Sequence, residues 1–127
     1  MITKYRAWHP VLKTMFYNVR VSSKDWTDES EHYGGNHETL SQYTGQDDKN
    51  NTEIYRGDVL RLDKPLEYET DVLFVQWDDR FSSWCLTKKG WMFNHFFGEA
   101  VEASETTVIG NIWENPELIK PAPEKAG

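Results

Sequence analysis

The densest group of residues that could carry chemistry in this sequence is the stretch EHYGGNHE, at residues 31–38. It places His32 and His37 beside Glu31 and Glu38, and imidazole and carboxylate groups together can bind zinc or nickel. The Gly-Gly step between the histidines fixes no geometry, and no downstream motif completes a metal site. We therefore expect solvated loop residues and no bound cofactor. The sequence leaves metal binding open, and a hydrolase using this loop is the least favoured hypothesis.

Asp58 and Cys85 are two further candidates for chemistry. Asp58 has no second carboxylate at a spacing diagnostic of general acid–base catalysis. Gly57 before it permits a sharp backbone turn, and an Asp side chain can accept nearby backbone N–H groups. The Gly57-Asp58 step is therefore predicted to be a structural corner where a strand begins. Cys85 is the single cysteine and lies among aromatic residues, which favours a buried, inert thiol.

Other catalytic patterns are missing from the sequence. No nucleophile elbow or ordered triad context is present. The stretch YGGN lacks both the Lys-Ser/Thr pair and the strand–helix context of a phosphate-binding loop. We predict a protein that is not an enzyme.

The elements that must position these residues are predicted to be strands. The chain has 127 residues, enough for one domain, and 14% of them are aromatic, which favours β structure. Two strands should meet at a turn at His9-Pro10, and residues 22–38 read as a long polar surface loop. TLSQYTG should form a strand before the polar turn QDDKNNTE. The apolar run TDVLFVQW predicts a central strand, and such short strands indicate a small barrel or sandwich.

The charge is unevenly distributed along the chain. Residues 1–21 contain Lys4, Arg6, Lys13 and Arg20 and no acid, whereas residues 22–71 contain 13 acids and 5 bases. These segments could pair within the fold or between subunits. The net charge of −7 disfavours non-specific binding of nucleic acid. No apolar stretch is long enough for a membrane span, so we expect a cytoplasmic protein with no membrane partner.

Three segments resemble the YopX family of phage and prophage proteins in their order and spacing: KYRAWHP, QYTGQDDKNNTEIYRGDVLRL and VIGNIWENPEL. The resemblance implies an SH3-like β-barrel with an N-terminal β-rich extension and a tendency to form homo-oligomers. It supplies no catalytic residues, because no enzymatic activity is established for the family. The predicted organisation is an extension and acidic loop over residues 1–39, a barrel over 40–120 and a flexible tail over 121–127. Arg56 departs from the family pattern, which often has Glu at this position.

Most of the aromatic rings are predicted to lie in the core, with one or two at an interface. We interpret the chain as a non-enzymatic phage or prophage accessory protein, an oligomeric module that binds a host or phage protein in the host cytoplasm. The alternative is a nucleic-acid-binding protein that uses the basic N-terminal strands and exposed aromatic residues. The interaction candidates are Arg6, Trp8, Tyr43, Tyr55, Arg56 and Trp113.

Overall fold

The computed structural model describes residues 4–22, 25–27, 39–66, 70–89, 95–98 and 101–119. The helices of these ranges are two single 3-10 turns, Ala103–Glu105 and Pro116–Ile119, and no described helix has the length and apolarity to span a bilayer. The described strands are β1 (Tyr5–His9), β2 (Thr14–Tyr17), β3 (Arg20–Val21), β4 (Trp26–Thr27), β5 (Leu40–Asp47), β6 (Glu53–Tyr55), β7 (Asp58–Leu66), β8 (Thr70–Asp78), β9 (Ser83–Thr87), β10 (His95–Phe96) and β11 (Thr106–Asn111). The prediction of a mostly β protein is confirmed.

A four-stranded antiparallel sheet contains the N-terminal hairpin, in the order β2-β1-β5-β6. The turn predicted at His9-Pro10 joins β1 to β2 and is held by the Leu12 N–H, which donates to His9 Nδ1 at 3.1 Å. β1 lies inside the sheet, with Arg6 opposite Ser41 on β5. The predicted domain boundary between residues 39 and 40 therefore falls within one hydrogen-bonded sheet.

A five-stranded antiparallel sheet follows, in the order β10-β9-β8-β7-β11. β8 pairs with β7 on one side and β9 on the other, which confirms the central strand predicted from TDVLFVQW. The main core cluster includes Leu60 and Leu62 of β7, Leu73 and Val75 of β8, and Leu86 of β9. Five of the nine buried residues of this cluster therefore belong to the five-stranded sheet, and their burial stabilises the fold.

A second, smaller core lies under the four-stranded sheet. Ala7, Val19 and Trp26 are buried there, with Phe16 and Leu40 packed against them. Trp26 is fully buried and belongs to β4, although it lies in the stretch 22–38. The prediction of a surface loop is therefore wrong at this residue, because a large ring can be buried by a distant strand whatever its polar neighbours in sequence.

The free edge of β11 is closed by polar side chains from two turns. Asp48 Oδ2 accepts the Val108 N–H at 2.9 Å, and Asn115 Oδ1 accepts the Asn111 N–H at 3.2 Å. These contacts satisfy backbone groups that could otherwise pair with another chain. The turn containing Asp48 also has Asn51 at φ 64°, as expected for the polar cluster QDDKNNTE.

Three predictions fall wholly or partly outside the described ranges: the surface loop over residues 22–38, of which only 22 and 25–27 are described, the histidine pair His32 and His37, and the flexible tail over residues 121–127.

Candidate functional site

The Gly57-Asp58 step is the corner between β6 and β7. Gly57 has φ +86°, its N–H donates to the Val75 carbonyl at 2.8 Å, and its own carbonyl accepts the Ile112 N–H at 2.9 Å. A Cβ atom at this position would lie 2.6 Å from Cζ3 of Trp113. The corner therefore requires glycine for two reasons, its backbone conformation and its contact with an indole ring.

Asp58 holds the corner through hydrogen bonds at both carboxylate oxygens. Oδ2 accepts the Tyr55 N–H at 2.7 Å, and Oδ1 lies 2.6 Å from Nη2 of Arg6. The Arg6 and Asp58 side chains are only 4% and 2% exposed. Burial raises the pKa of the Asp58 carboxyl, while the Arg6 guanidinium and the Tyr55 N–H oppose this rise. The structural role predicted for this step, including the backbone hydrogen bond, is confirmed.

Arg6 is the centre of an aromatic cluster around this ion pair. Its guanidinium carbon lies 4.7 Å from the centre of the Tyr55 ring and 6.0 Å from that of the Trp113 ring. Its Nη2 also donates to the Arg56 carbonyl at 3.3 Å. Arg6 and Tyr55, two of the predicted interaction candidates, are buried in the described structure, and their part in an interaction stays a prediction. The sequence around an arginine does not show which distant acid will form an ion pair with it.

The other predicted interaction candidates are half-buried: Trp8, Tyr43, Arg56 and Trp113. Trp8 and Tyr43 lie on the same face of the four-stranded sheet as Arg6 and Tyr55, because strand residues alternate between faces and the registers align them. Trp113 reaches this group from the turn after β11. Arg56 does not belong to it and borders a separate groove.

We define the aromatic groove as two adjoining cavities that share Arg56 and Trp77. The first has a volume of about 340 Å³ and is also lined by Tyr5, Leu40, Gln42 and Trp84. The second has about 320 Å³ and includes Phe74, Asp79 and Ile112 in its lining. The groove thus lies between residues of both sheets.

Trp77 is the most accessible large ring of the aromatic groove, with 40% of its surface exposed. It packs edge-to-face against Trp84, with ring centres 5.1 Å apart. Arg56 is held at the groove by Nη1, which donates to the Leu40 carbonyl at 3.0 Å. Trp77 is not among the six interaction candidates predicted from the sequence, because most of the aromatic rings were expected to lie in the core. Its position beside Asp78-Asp79 was the available signal of a strand end.

The basic N-terminal segment pairs with acids of its own chain. Lys4 Nζ lies 2.5 Å from Glu53 Oε2, and Arg6 pairs with Asp58 as described. Both acids belong to residues 22–71, so two of the four N-terminal bases are paired within the fold. This pairing joins the N-terminal strand to β6 and β7.

The described residues contain little that could perform covalent or metal chemistry. Within the described ranges, no group of three or more His, Cys, Asp and Glu side chains could hold a metal ion. Cys85 is buried, as predicted, and burial raises the pKa of its thiol. The chemistry that the described surface offers is aromatic stacking, charge pairing and hydrogen bonding.

Comparison with known proteins identifies the family. The family model described as YopX protein matches residues 4–120. The structure is similar to the crystal structure of protein EF1440 from Enterococcus faecalis, with 25% sequence identity and a TM-score of 0.64, covering 94% of this chain and 99% of that one. None of the curated proteins matches the chain. The family resemblance predicted from the three sequence segments is confirmed, and the chain belongs to the YopX family.

Proposed function

We propose that the protein is a non-enzymatic phage or prophage accessory protein that acts as an oligomeric protein-interaction module, with the aromatic groove as its contact surface. The observation that carries this proposal is the exposed Trp77 ring, packed on Trp84 beside the fixed guanidinium of Arg56. Tryptophan and arginine supply much of the binding energy in protein interfaces. The partner is a segment of another protein chain, from the phage or its host.

The surroundings of the two candidate catalytic residues, Asp58 and Cys85, support a non-enzymatic role. The Asp58 carboxylate is occupied by Arg6 and by a backbone N–H, and the Cys85 thiol is buried. A general acid or a nucleophile must instead reach a substrate. The SH3-like barrel implied by the family resemblance and the cytoplasmic location belong to the same proposal.

The charge pairing favours a protein partner over nucleic acid. Binding of nucleic acid would use unpaired lysine and arginine side chains to neutralise phosphates. In residues 1–21, Lys4 and Arg6 are paired with Glu53 and Asp58. The alternative would therefore depend mainly on Lys13 and Arg20, in a protein with a net charge of −7.

The test is capture of partners from host lysate by wild-type protein and by Trp77→Ala, with and without nuclease. Phe81→Ala is the matched control, because Phe81 is 60% exposed and does not line the groove. We expect the wild type and Phe81→Ala to retain one partner after nuclease, and Trp77→Ala to lose it. Equal retention by all three proteins would exclude the groove as the contact surface. Loss of the partner on nuclease treatment would support the nucleic-acid alternative.

Oligomerisation is tested by light scattering over a range of concentrations. One chain has a mass of 14.9 kDa, and we expect the wild-type protein to have the mass of two or more chains. A mass of one chain at every concentration would contradict the oligomeric part of the proposal. Deletion of residues 1–9 is an unsuitable test, because it removes β1 from inside its sheet and leaves Asp58 without Arg6.

A further inference from the structure

The ammonium group of Lys4 occupies a small, partly exposed site at the face of the four-stranded sheet that also carries Arg6 and Tyr55. Its Nζ lies 2.5 Å from Glu53 Oε2 and 5.4 Å from the centre of the Tyr43 ring. The Lys4 and Glu53 side chains remain 41% and 36% exposed. The Lys4 ammonium group therefore occupies a cation site that solvent can still reach.

Three tyrosine rings surround this site, and we call them the tyrosine face: Tyr17, Tyr43 and Tyr55. Tyr55 is only 2% exposed and its ring is already covered by Arg6, so it supports the rings of Tyr43 and Tyr17, which solvent can reach. The rings of Tyr43 and Tyr55 have centres 5.5 Å apart, and those of Tyr17 and Tyr55 are 5.8 Å apart in an edge-to-face arrangement. Tyr17 is 51% exposed, so it extends the tyrosine face beyond the position that Lys4 fills. Electron-rich ring faces attract ammonium and guanidinium groups.

Two carboxylates fix the orientation of the Tyr43 and Tyr55 rings and add negative charge. The Tyr43 hydroxyl donates to Asp47 Oδ1 at 2.6 Å, and the Tyr55 hydroxyl donates to Glu53 Oε1 at 3.2 Å. The bond to Asp47 raises the pKa of Tyr43 to about 12, so its ring stays neutral. Rings held in place lose little freedom when a ligand binds.

The charge balance of the tyrosine face favours a cationic ligand. Glu53 and Asp47 contribute two negative charges, whereas Lys4 contributes one positive charge. Arg6, on the same sheet face, is buried and neutralised by Asp58. The net charge of −7 adds a long-range attraction for basic partners.

We propose that the tyrosine face binds a lysine- or arginine-containing segment of a partner protein, and that Lys4 is the internal competitor which the partner's cation displaces. This inference rests on the proposed function of the chain as a protein-interaction module. It names the chemistry of the partner at a second surface, distinct from the aromatic groove. Displacement exchanges one cation for another and leaves the ring geometry in place.

The test measures binding of a short synthetic lysine-glycine peptide by titration calorimetry, with a glutamate-glycine peptide as the negative probe. Lys4→Ala empties the site, so we expect it to bind the lysine peptide about two- to fivefold more tightly than the wild type. Glu53→Gln should weaken binding by a similar factor. Lys64→Ala is the matched control, because it removes the same charge from another exposed pair, with Glu105 at 3.0 Å.

The opposite responses of Lys4→Ala and Glu53→Gln separate the local site from general charge attraction. Equal tightening by Lys64→Ala and Lys4→Ala would overturn the proposal, since net charge alone would then explain binding. Failure of both the wild type and Lys4→Ala to bind the lysine peptide would also overturn it, as would equal binding of the glutamate peptide. Circular dichroism of each variant would establish that the sheet is intact.

The two proposals can fail separately. If the lysine peptide does not bind but capture from lysate depends on Trp77, only the proposal for the tyrosine face is refuted. If the peptide binds in the expected order of variants but Trp77→Ala captures the partner as well as the wild type, only the proposal for the groove is refuted.

Discussion

The guanidinium of Arg6 lies 2.6 Å from the carboxylate of Asp58, although the two residues are 52 positions apart in sequence. Arg6 is on β1 and Asp58 begins β7, so the pair connects the N-terminal hairpin to the five-stranded sheet. Both side chains are almost completely buried. Removal of one charge from such a pair leaves the other buried without its partner, which is strongly destabilising.

Asp58→Asn should therefore lower the free energy of unfolding by about 3–5 kcal/mol. The variant keeps a side-chain oxygen for the Tyr55 N–H but removes the charge that neutralises Arg6. Urea unfolding followed by circular dichroism measures the change. Asp63→Asn is the control, because it breaks the exposed Lys49–Asp63 pair and should cost less than about 1 kcal/mol. Equal losses in the two variants would contradict the importance of the buried pair.

Combining Arg6→Met with Asp58→Asn should recover part of the stability that Asp58→Asn loses. The double variant removes the guanidinium that would otherwise be buried without a counter-charge. A double variant that is less stable than Asp58→Asn would show that Arg6 contributes mainly through its stacking on Tyr55 and Trp113. Urea unfolding under the same conditions distinguishes these outcomes.

Gly57→Ala should destabilise the protein more than Gly98→Ala. Both glycines have positive φ, +86° and +102°, so both substitutions strain the backbone. At Gly57 the new methyl group would also lie 2.6 Å from the Trp113 ring, whereas at Gly98 the nearest atom is 3.8 Å away. We expect an additional loss of about 1–3 kcal/mol at Gly57, as for other overpacked sites. Thermal unfolding measures the difference, and equal losses would refute the role of the Trp113 contact.

Asp48 should make the stability of the protein depend on acid pH. Burial opposes ionisation of Asp48, but the N–H groups of Val108, Thr52 and Asn50 outweigh it and lower the pKa below its ordinary value of 3.8. The unfolded chain therefore binds the proton more readily than the folded chain. The stabilisation is complete above about pH 4 and is lost as the pH falls through the lowered pKa.

Asp48→Asn should remove this dependence and lower stability at neutral pH, because its amide nitrogen cannot accept an N–H group. We expect a loss of about 1–3 kcal/mol at pH 7 and a smaller loss at pH 2. Urea unfolding of both proteins between these pH values provides the comparison. An identical difference in stability at every pH would rule out the assignment to Asp48.

Tyr43 should make the protein sensitive to alkaline pH. The hydrogen bond to Asp47 raises the pKa of Tyr43 from 10.0 to about 12. Its contribution to stability is therefore present below pH 10 and is lost as the pH rises through 12. Ultraviolet titration of the folded protein should show a phenol ionising near pH 12 that is missing from Tyr43→Phe. If the two titration curves differ near pH 10 instead, this hydrogen bond does not hold the proton.

Local features of the sequence were sufficient to predict the β class, the N-terminal hairpin, the central strand β8 and the Gly57-Asp58 corner. Each depends on residues within a few positions of one another: alternation, turn residues, or a glycine that precedes an acid. The family was also predictable, because its three segments are contiguous blocks. These patterns did not identify which polar side chains would be buried.

Only the tertiary structure decided which charges are internal and which rings are exposed. Arg6 and Tyr55 were predicted as interaction candidates, and β1, β5 and β6 bring them together, buried, beside Asp58. Trp77 ends an apolar run and yet borders an open groove. The physical reason is that burial depends on strand register and sheet packing, which bring together residues tens of positions apart and leave no local signal in the sequence.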